Sequence, residues 1–419
     1  MNARIKERIE QINSGIVPEG YQKTAFGIFP CDWLKVSLGE VSSKKGEYGL
    51  NAPACEYAEG LPKYLRITDI DEQGCYIDNN AYVNDTDSNK YILGKGDIVF
   101  ARTGASVGKN YIYNEKDGIL VYAGFLIKFG IKPQYNAYLI CLNCRTKKYD
   151  NWVAKMCARS GQPGINAEEY ATYSCIIPKS AQEQARIAEI LMQWDKAIEL
   201  QGKLVEAYQK LKKYCLNKMF PKKGSNVPEI RFPGFTAPWE QRKFGSIVYR
   251  ASEMSDTDDL PRVEYEDIDA GQGTLNKDLK EKVSTKKGII FQSGDILYGK
   301  LRPYLKNWLF AWFSGIAVGD FWVLRSNQVS QSFIYRLVQT PAFEYIANQS
   351  TGSKMPRADW NLVSNTAFAF PTSNEEQEAI GQIFLKLDNL ITLHQKKREK
   401  LVAQRKILQQ YLLTGIVRV

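Results

Sequence analysis

After Pro178 the chain keeps a heptad rhythm through Ile187, Ile190, Trp194, Ala197, Gln201, Leu204, Tyr208, Leu211 and Cys215, in steps of three and four. After Pro371 the same rhythm runs through Ile380, Ile383, Leu387, Leu390, His394, Lys397, Leu401, Gln404, Leu408 and Tyr411. A seam sustained for about five heptads is the pattern of a coiled coil. Neither stretch contains a proline, and Lys, Glu and Gln occupy the other faces. The pattern predicts long helices near 181–219 and 374–413, each a rod of roughly 57 Å at 1.5 Å per residue. Their packing residues are Ile187, Ile190, Trp194, Leu204 and Leu211 on the first, and Ile380, Ile383, Leu387, Leu401 and Leu408 on the second. Gln201, His394 and Lys397 are polar seam positions of the kind that fix register. Two similar seams in one chain favour antiparallel packing of one helix on the other. Pairing between two chains and a helix lying on a globular core are the alternatives.

The two helices belong to a longer repeat. Pro178-Lys-Ser-Ala-Gln-Glu183-Gln184 matches Pro371-Thr-Ser-Asn-Glu-Glu376-Gln377, and one ungapped offset then pairs Asp195 with Asp388 and Lys213 with Lys406. Fainter matches precede it in the same order. Leu61-Pro62 through Asp69-Ile70-Asp71 corresponds to Leu260-Pro261 through Asp267-Ile268-Asp269, and Gly96-Asp97-Ile98 to Gly294-Asp295-Ile296. The stretches ahead of each helix are short β-branched and aromatic runs broken by Gly, Asn and Asp, such as Asp97–Phe100, Asp295–Tyr298 and Phe321–Leu324. Such runs predict strands, with a few helices between them. The expected fold is α+β: two similar α+β modules separated by two long antiparallel coiled-coil helices, an internal repeat with pseudo-twofold symmetry. The expected divisions are an N-terminal helical segment at 1–20, module one at 21–180, helix one at 181–221, module two at 222–373 and helix two at 374–419.

Composition narrows the function. The chain has 419 residues, 44% of them hydrophobic, with 56 Lys+Arg against 46 Asp+Glu and a net charge of +10. That excess suits a polyanionic partner, because cationic surface releases the counterions condensed on nucleic acid. No run reaches the ~20 apolar residues of a membrane helix, and the N-terminus lacks an apolar signal core, so a cytoplasmic location is expected. Seven of eight cysteines fall before residue 180, which predicts reduced structural thiols. Cys141-Leu-Asn-Cys144 has no second pair to complete a metal site.

Catalytic elements are missing. The nearest approach to a phosphate-binding loop, Gly104-Ala-Ser-Val-Gly108-Lys109-Asn110, is one residue short and ends in Asn. Gly271-Gln-Gly273 stands alone, and the single histidine, His394, lies on the seam. Asp278-Leu-Lys280 is an incidental end of a nuclease-like motif. No catalytic and no metal-binding residue is expected.

The remaining polar features fit DNA. Between two predicted strands sits a loop with Arg102, Thr103, Ser106 and Lys109, and module two places Lys300, Arg302, Tyr304 and Lys306 in the same position. A second polar loop precedes each helix, with Arg159 and Gln162 in module one and Lys354 and Arg357 in module two. Arginine can read guanine bidentately, and Ser, Thr and Lys take phosphates or base edges. Two solvated basic loops are the plainer reading of each loop taken alone.

Over nearly its whole length the chain resembles the specificity subunits of type I restriction–modification systems. The resemblance is carried by Pro30-Cys-Asp-Trp33 and Pro238-Trp239, the two Gly-Asp-Ile strand entries, the two Pro…Glu-Gln junctions and Val227–Phe235. It implies two target-recognition domains that read the halves of a bipartite, asymmetric site in double-stranded DNA. The helices would set the spacing and bind two modification (methyltransferase) subunits, and restriction (endonuclease/translocase) subunits would complete the complex. S-adenosylmethionine, ATP and Mg²⁺ are expected on those partners, and no cofactor on this chain. A free-standing DNA-binding regulator and, less in keeping with the motifs, a single-chain DNA-modifying enzyme are the alternatives.

Overall fold

The computed structural model describes residues 3–158, 163–222, 224–279, 285–349 and 355–419. They fall into two units: residues 1–199 with 399–419, and residues 200–398. Each unit contains one module and half of each long helix. Among the described residues no helix is long and apolar enough to cross a membrane.

Each module is built round a four-stranded antiparallel sheet. In the first unit the strands are β1 (Glu47–Tyr48), β2 (Asp97–Ala101), β3 (Asn110–Ile112) and β4 (Leu126–Gly130), in the order β1-β4-β2-β3. In the second they are β5 (Tyr249–Ala251), β6 (Ile296–Gly299), β7 (Trp308–Phe310) and β8 (Phe321–Arg325), in the equivalent order β5-β8-β6-β7. Registers match as well: Ile98 opposes Phe129 as Ile296 opposes Leu324. An early strand of each module pairs antiparallel with its last strand and closes it, Trp33–Ser37 with Ser174–Pro178 and Glu240–Lys243 with Ala367–Phe370. Aromatic side chains fill both cores, Phe100, Phe129, Tyr149 and Tyr170 in one, Trp239, Phe244, Phe333 and Phe343 in the other.

The repeated motifs prove to be turn chemistry. Gly96 and Gly294 sit at φ +89° and +94°, where a Cβ is strained. The aspartate after each accepts the N–H three residues back, Gly94 N to Asp97 at 2.9 Å and Gln292 N to Asp295 at 2.6 Å. Asp69 and Asp267 likewise take the amides of Arg66 and Glu264 at 2.9 and 2.7 Å. Cys141 and Cys144 are buried, and burial pushes both thiols up from their ordinary range.

The long helices α1 (Ala181–Lys218) and α2 (Asn374–Leu413) begin alike. Ser180 and Ser373 cap them by accepting the amides of Glu183 and Glu376. Gln184 and Gln377 each tie the first turn back to the module. Their amides donate to the carbonyls of Pro178 (2.8 Å) and Pro371 (3.0 Å), and their side-chain oxygens accept from Asn136 and Ser330. Glu183 is held by Arg418, and Glu376 by two guanidinium nitrogens of Arg231, Nε and Nη2. The Glu-Gln pair is thus a joint between helix and module.

In the first unit the start of α1 lies against the end of α2, with Ile187, Ile190, Leu191 and Leu408 sharing a core. In the second unit the end of α1 meets the start of α2, where Lys212 pairs with Asp388 and Gln201 faces His394. Both pairings run antiparallel. Three expected seam positions differ: Leu211 is 45% exposed, and Lys397 and Gln404 are exposed. A straight helix turns about 20° per heptad away from a strict seven-residue repeat, so the seam's second column rotates outward. Leu191, Val205 and Lys212 take the inward places instead.

Candidate nucleic-acid interface

In module one, β2 ends at Ala101, and Arg102 to Lys109 form a loop that returns into β3. Backbone bonds pinch its base, Ala101 N to the Lys109 carbonyl at 2.8 Å and Gly108 N to the Ala101 carbonyl at 3.1 Å. Buried phenols lock it from below: Tyr170 donates to the Ala101 carbonyl and Tyr149 to the Gly108 carbonyl, at 2.7 and 2.9 Å. The segment just before helix α1 crosses this loop. Thr103 bridges to Gly164, Gly104 N donates to the Pro163 carbonyl and Ile165 N to the Arg102 carbonyl.

Module two repeats the crossing. After β6, Leu301 bridges to Arg357, Arg302 N donates to the Pro356 carbonyl at 2.7 Å, and Ala358 N to the Lys300 carbonyl at 2.8 Å. The loops that the sequence placed apart therefore form one two-stranded surface in each module. Arg159, Gln162 and Lys354 lie outside the described residues.

The first loop carries Gly104 and Gly108, and the second has no glycine at the matching positions. Gly104 and Gly108 have φ +71° and +90°. The positions 198 residues on are Arg302 and Lys306, at φ +48° and +59°. Both loops make the same two left-handed turns. Module one meets them with glycine, whereas module two holds long cationic side chains there, at about 1–2 kcal/mol of strain each. Glycine would make both turns without that strain, so the backbone conformation alone does not call for a cation at either position.

The cations differ in how they are held. Arg102 donates Nε to the Gly124 carbonyl at 3.1 Å, and its guanidinium lies 5.1 and 5.8 Å from the Tyr48 and Phe125 ring centres. Those rings are largely exposed, so they present the cation at the surface. Lys109 pairs with Glu72 at 2.5 Å. Thr103 and Ser106 are half-buried. In module two Asp320 holds both Lys300 (3.5 Å) and Arg357 (3.1 Å), and Glu344 holds Lys306 at 2.6 Å. Arg302 is exposed and has no ion-pair partner among the described residues, and Tyr304 beside it is exposed. Tyr48, Phe125 and Asp320 are the members of this surface that sequence reasoning missed.

A crossed-loop surface built twice, each on a module joined to the antiparallel long helices, defines a class, and comparison with known proteins identifies it. Residues 30–207 and 238–403 each match the model of the type I restriction modification DNA specificity domain. The chain is 22% identical over 430 residues to the type I restriction enzyme MjaVIII specificity subunit of Methanocaldococcus jannaschii, covering 93% of this chain and 94% of that one. It is 26% identical over 427 residues to the protein assigned as the MjaX specificity subunit of the same organism, covering 96% and 97%. Its fold is similar to the type I restriction–modification S subunit from M. genitalium, with TM-score 0.57 at 14% identity over 91% of this chain and 96% of the other. A second fold match, to a chain solved in work on assembly and conformational transition of a type I restriction–modification system, has TM-score 0.54 at 14% identity, covering 93% and 99%. The chain belongs to the type I restriction–modification specificity family. It is a DNA sequence-recognition subunit that works with the other subunits of such a system.

Proposed function

We propose that each module reads one half of a bipartite, asymmetric DNA site through its crossed loops, and that the chain catalyses no step itself. The observation that carries this reading is the repeated crossing, Thr103 with Gly164 and Leu301 with Arg357, on matching scaffolds with different side chains. Equal scaffolds with unequal loops suit two readers of unequal sequence. Arg102, Arg302 and Tyr304 are the base-side candidates, and Lys109, Lys300, Lys306 and Arg357 the phosphate-side ones, once their carboxylate partners yield to DNA. Methyl transfer and cleavage, with their S-adenosylmethionine, ATP and Mg²⁺, belong on this reading to modification and restriction subunits.

The long helices supply a surface for the modification subunits. Met192, Leu200 and Tyr214 of α1 are exposed, and so are Leu385, Leu393 and Ile407 of α2. Each residue of the second set lies 193 positions after its counterpart in the first. At 100° per residue each trio falls within an arc of roughly 80°. Two equal apolar stripes suit two copies of one partner. The test is to incubate the purified chain, alone and with its modification subunits, with DNA and S-adenosylmethionine. Methyl transfer is expected only with the partners. Transfer by the isolated chain would overturn the assignment.

A further inference from the structure

Beside the crossed loops of module two lies a groove of about 800 Å³. Lys243, Arg250 and Lys300 line it, together with Tyr249, Trp322 and Trp360, and no carboxylate does. Arg250 lies on β5 at the edge of the sheet, with its guanidinium 4.6 Å from the ring centre of Trp360. It is exposed, and among the described residues it has no carboxylate partner. Among the described residues the Lys243 ammonium has only the Asn365 side-chain oxygen, at 3.4 Å. The groove adjoins the candidate interface, since Lys300 belongs to both and Trp360 follows two residues after the crossing at Ala358.

Module one lacks this pair. Arg250 opposes Leu324 on the neighbouring strand, and Leu324 corresponds to Phe129; carrying the Glu47–Lys128 register of module one back by one residue makes Gly46, just before β1, the matching position. A side chain at Gly46 would meet Phe129, Ile127 and Ala167 at 3.0 Å or less. Ala167 stands where module two has Trp360, 193 residues on. The same scaffold thus carries Gly46 with Ala167 in one module and Arg250 with Trp360 in the other.

We propose that this groove is a second DNA contact of module two, in which Arg250 and Lys243 hold the sugar–phosphate backbone next to the half-site read by the crossed loops. The inference rests on the reading of those loops as a DNA interface. An arginine already held over a tryptophan ring loses little entropy on binding and keeps N–H donors for phosphate oxygens. Asp320 reaches Lys300 from outside the groove, but among the described residues no carboxylate pairs with Arg250 or Lys243, so these two cations are open to phosphate. The groove makes module two the more tightly anchored reader, with no change in what it reads.

The test measures binding of the full chain, with its modification subunits, to duplex carrying its site, across salt concentrations. Arg250→Ala and Lys243→Ala should each weaken binding about tenfold at moderate salt and lower the salt slope by about one. The methylated sequence should stay unchanged. Arg302→Ala serves as the reference. If it weakens binding while the groove variants match wild type, the groove assignment falls and the loop reading stands. If neither change weakens binding, the loop reading falls with it. A groove variant with altered sequence preference would overturn the backbone assignment, because it would mark Arg250 as a base reader. Thermal melting of each variant separates loss of contact from loss of fold.

Discussion

Arg405 donates Nε to Asp195 at 2.8 Å, and the same pair recurs one repeat away, where Lys212 meets Asp388 at 2.7 Å. Asp388 lies 193 residues after Asp195, and Arg405 lies 193 after Lys212. Between them Gln201 contacts His394 at 2.9 Å, again a separation of 193. A position that meets its own repeat partner is what antiparallel packing of two copies of one helix requires. Each aspartate also takes a bond from its module, Asp195 from Tyr138 and Asp388 from Arg336. Arg405→Ala should therefore cost about 1–2 kcal/mol, and Asp195→Arg with Arg405→Asp should recover part of that loss. A double-mutant cycle by thermal melting gives the coupling, and zero coupling would remove the pair from the account.

The strained cations of module two predict a trade between stability and function. Replacing Arg302 or Lys306 with glycine relieves left-handed strain but raises the entropy of the unfolded chain. The net effect on stability should be small or favourable, by up to about 1 kcal/mol. DNA affinity should fall, with relaxed discrimination at one position for Arg302→Gly. A variant that loses stability and keeps affinity would return these residues to a structural role.

Much of this was legible in the chain because it is periodic. The heptads fix the helices, the Pro…Glu-Gln motif marks their joints, and the Gly-Asp-Ile repeat marks matching strands. The second column of the seam was misplaced at Leu211 because a seven-residue rule was carried along a straight helix. The interface was only half legible. Gly104 and Arg302 look unrelated as letters, yet they share one backbone conformation. Tyr48 and Phe125 reach Arg102, and Asp320 reaches Lys300 and Arg357, across sheet pairings that no local pattern reveals.

Acid should weaken the first module through Asp69. Its carboxyl is almost fully buried, which alone would raise its pKa, but the hydrogen bonds from Arg66 and Asn79 outweigh burial and hold it below the ordinary value. A depressed carboxylate pKa adds stability above the unfolded value, near 3.9. That contribution is lost as pH falls through the folded value. Asp69→Asn should destabilise at neutral pH by about 1–3 kcal/mol, and the gap from wild type should narrow below about pH 4. A gap independent of pH would contradict this.

The apolar stripes predict a separable partner surface. Leu200→Asp with Leu393→Asp should reduce co-purification of the modification subunit by at least about tenfold, a loss near 1.4 kcal/mol. As exposed changes they should alter the chain's own stability by no more than about 0.5 kcal/mol. Unchanged association would move the partner surface elsewhere.

The most direct test of the central claim exchanges one reader. Residues 21–178 are replaced with the same region of another family member, and methylated bases are then mapped genome-wide by long-read sequencing in cells carrying the complete system. A new sequence is expected in one half of the site, with the other half and the spacer unchanged. A change in both halves, or in neither, would contradict it.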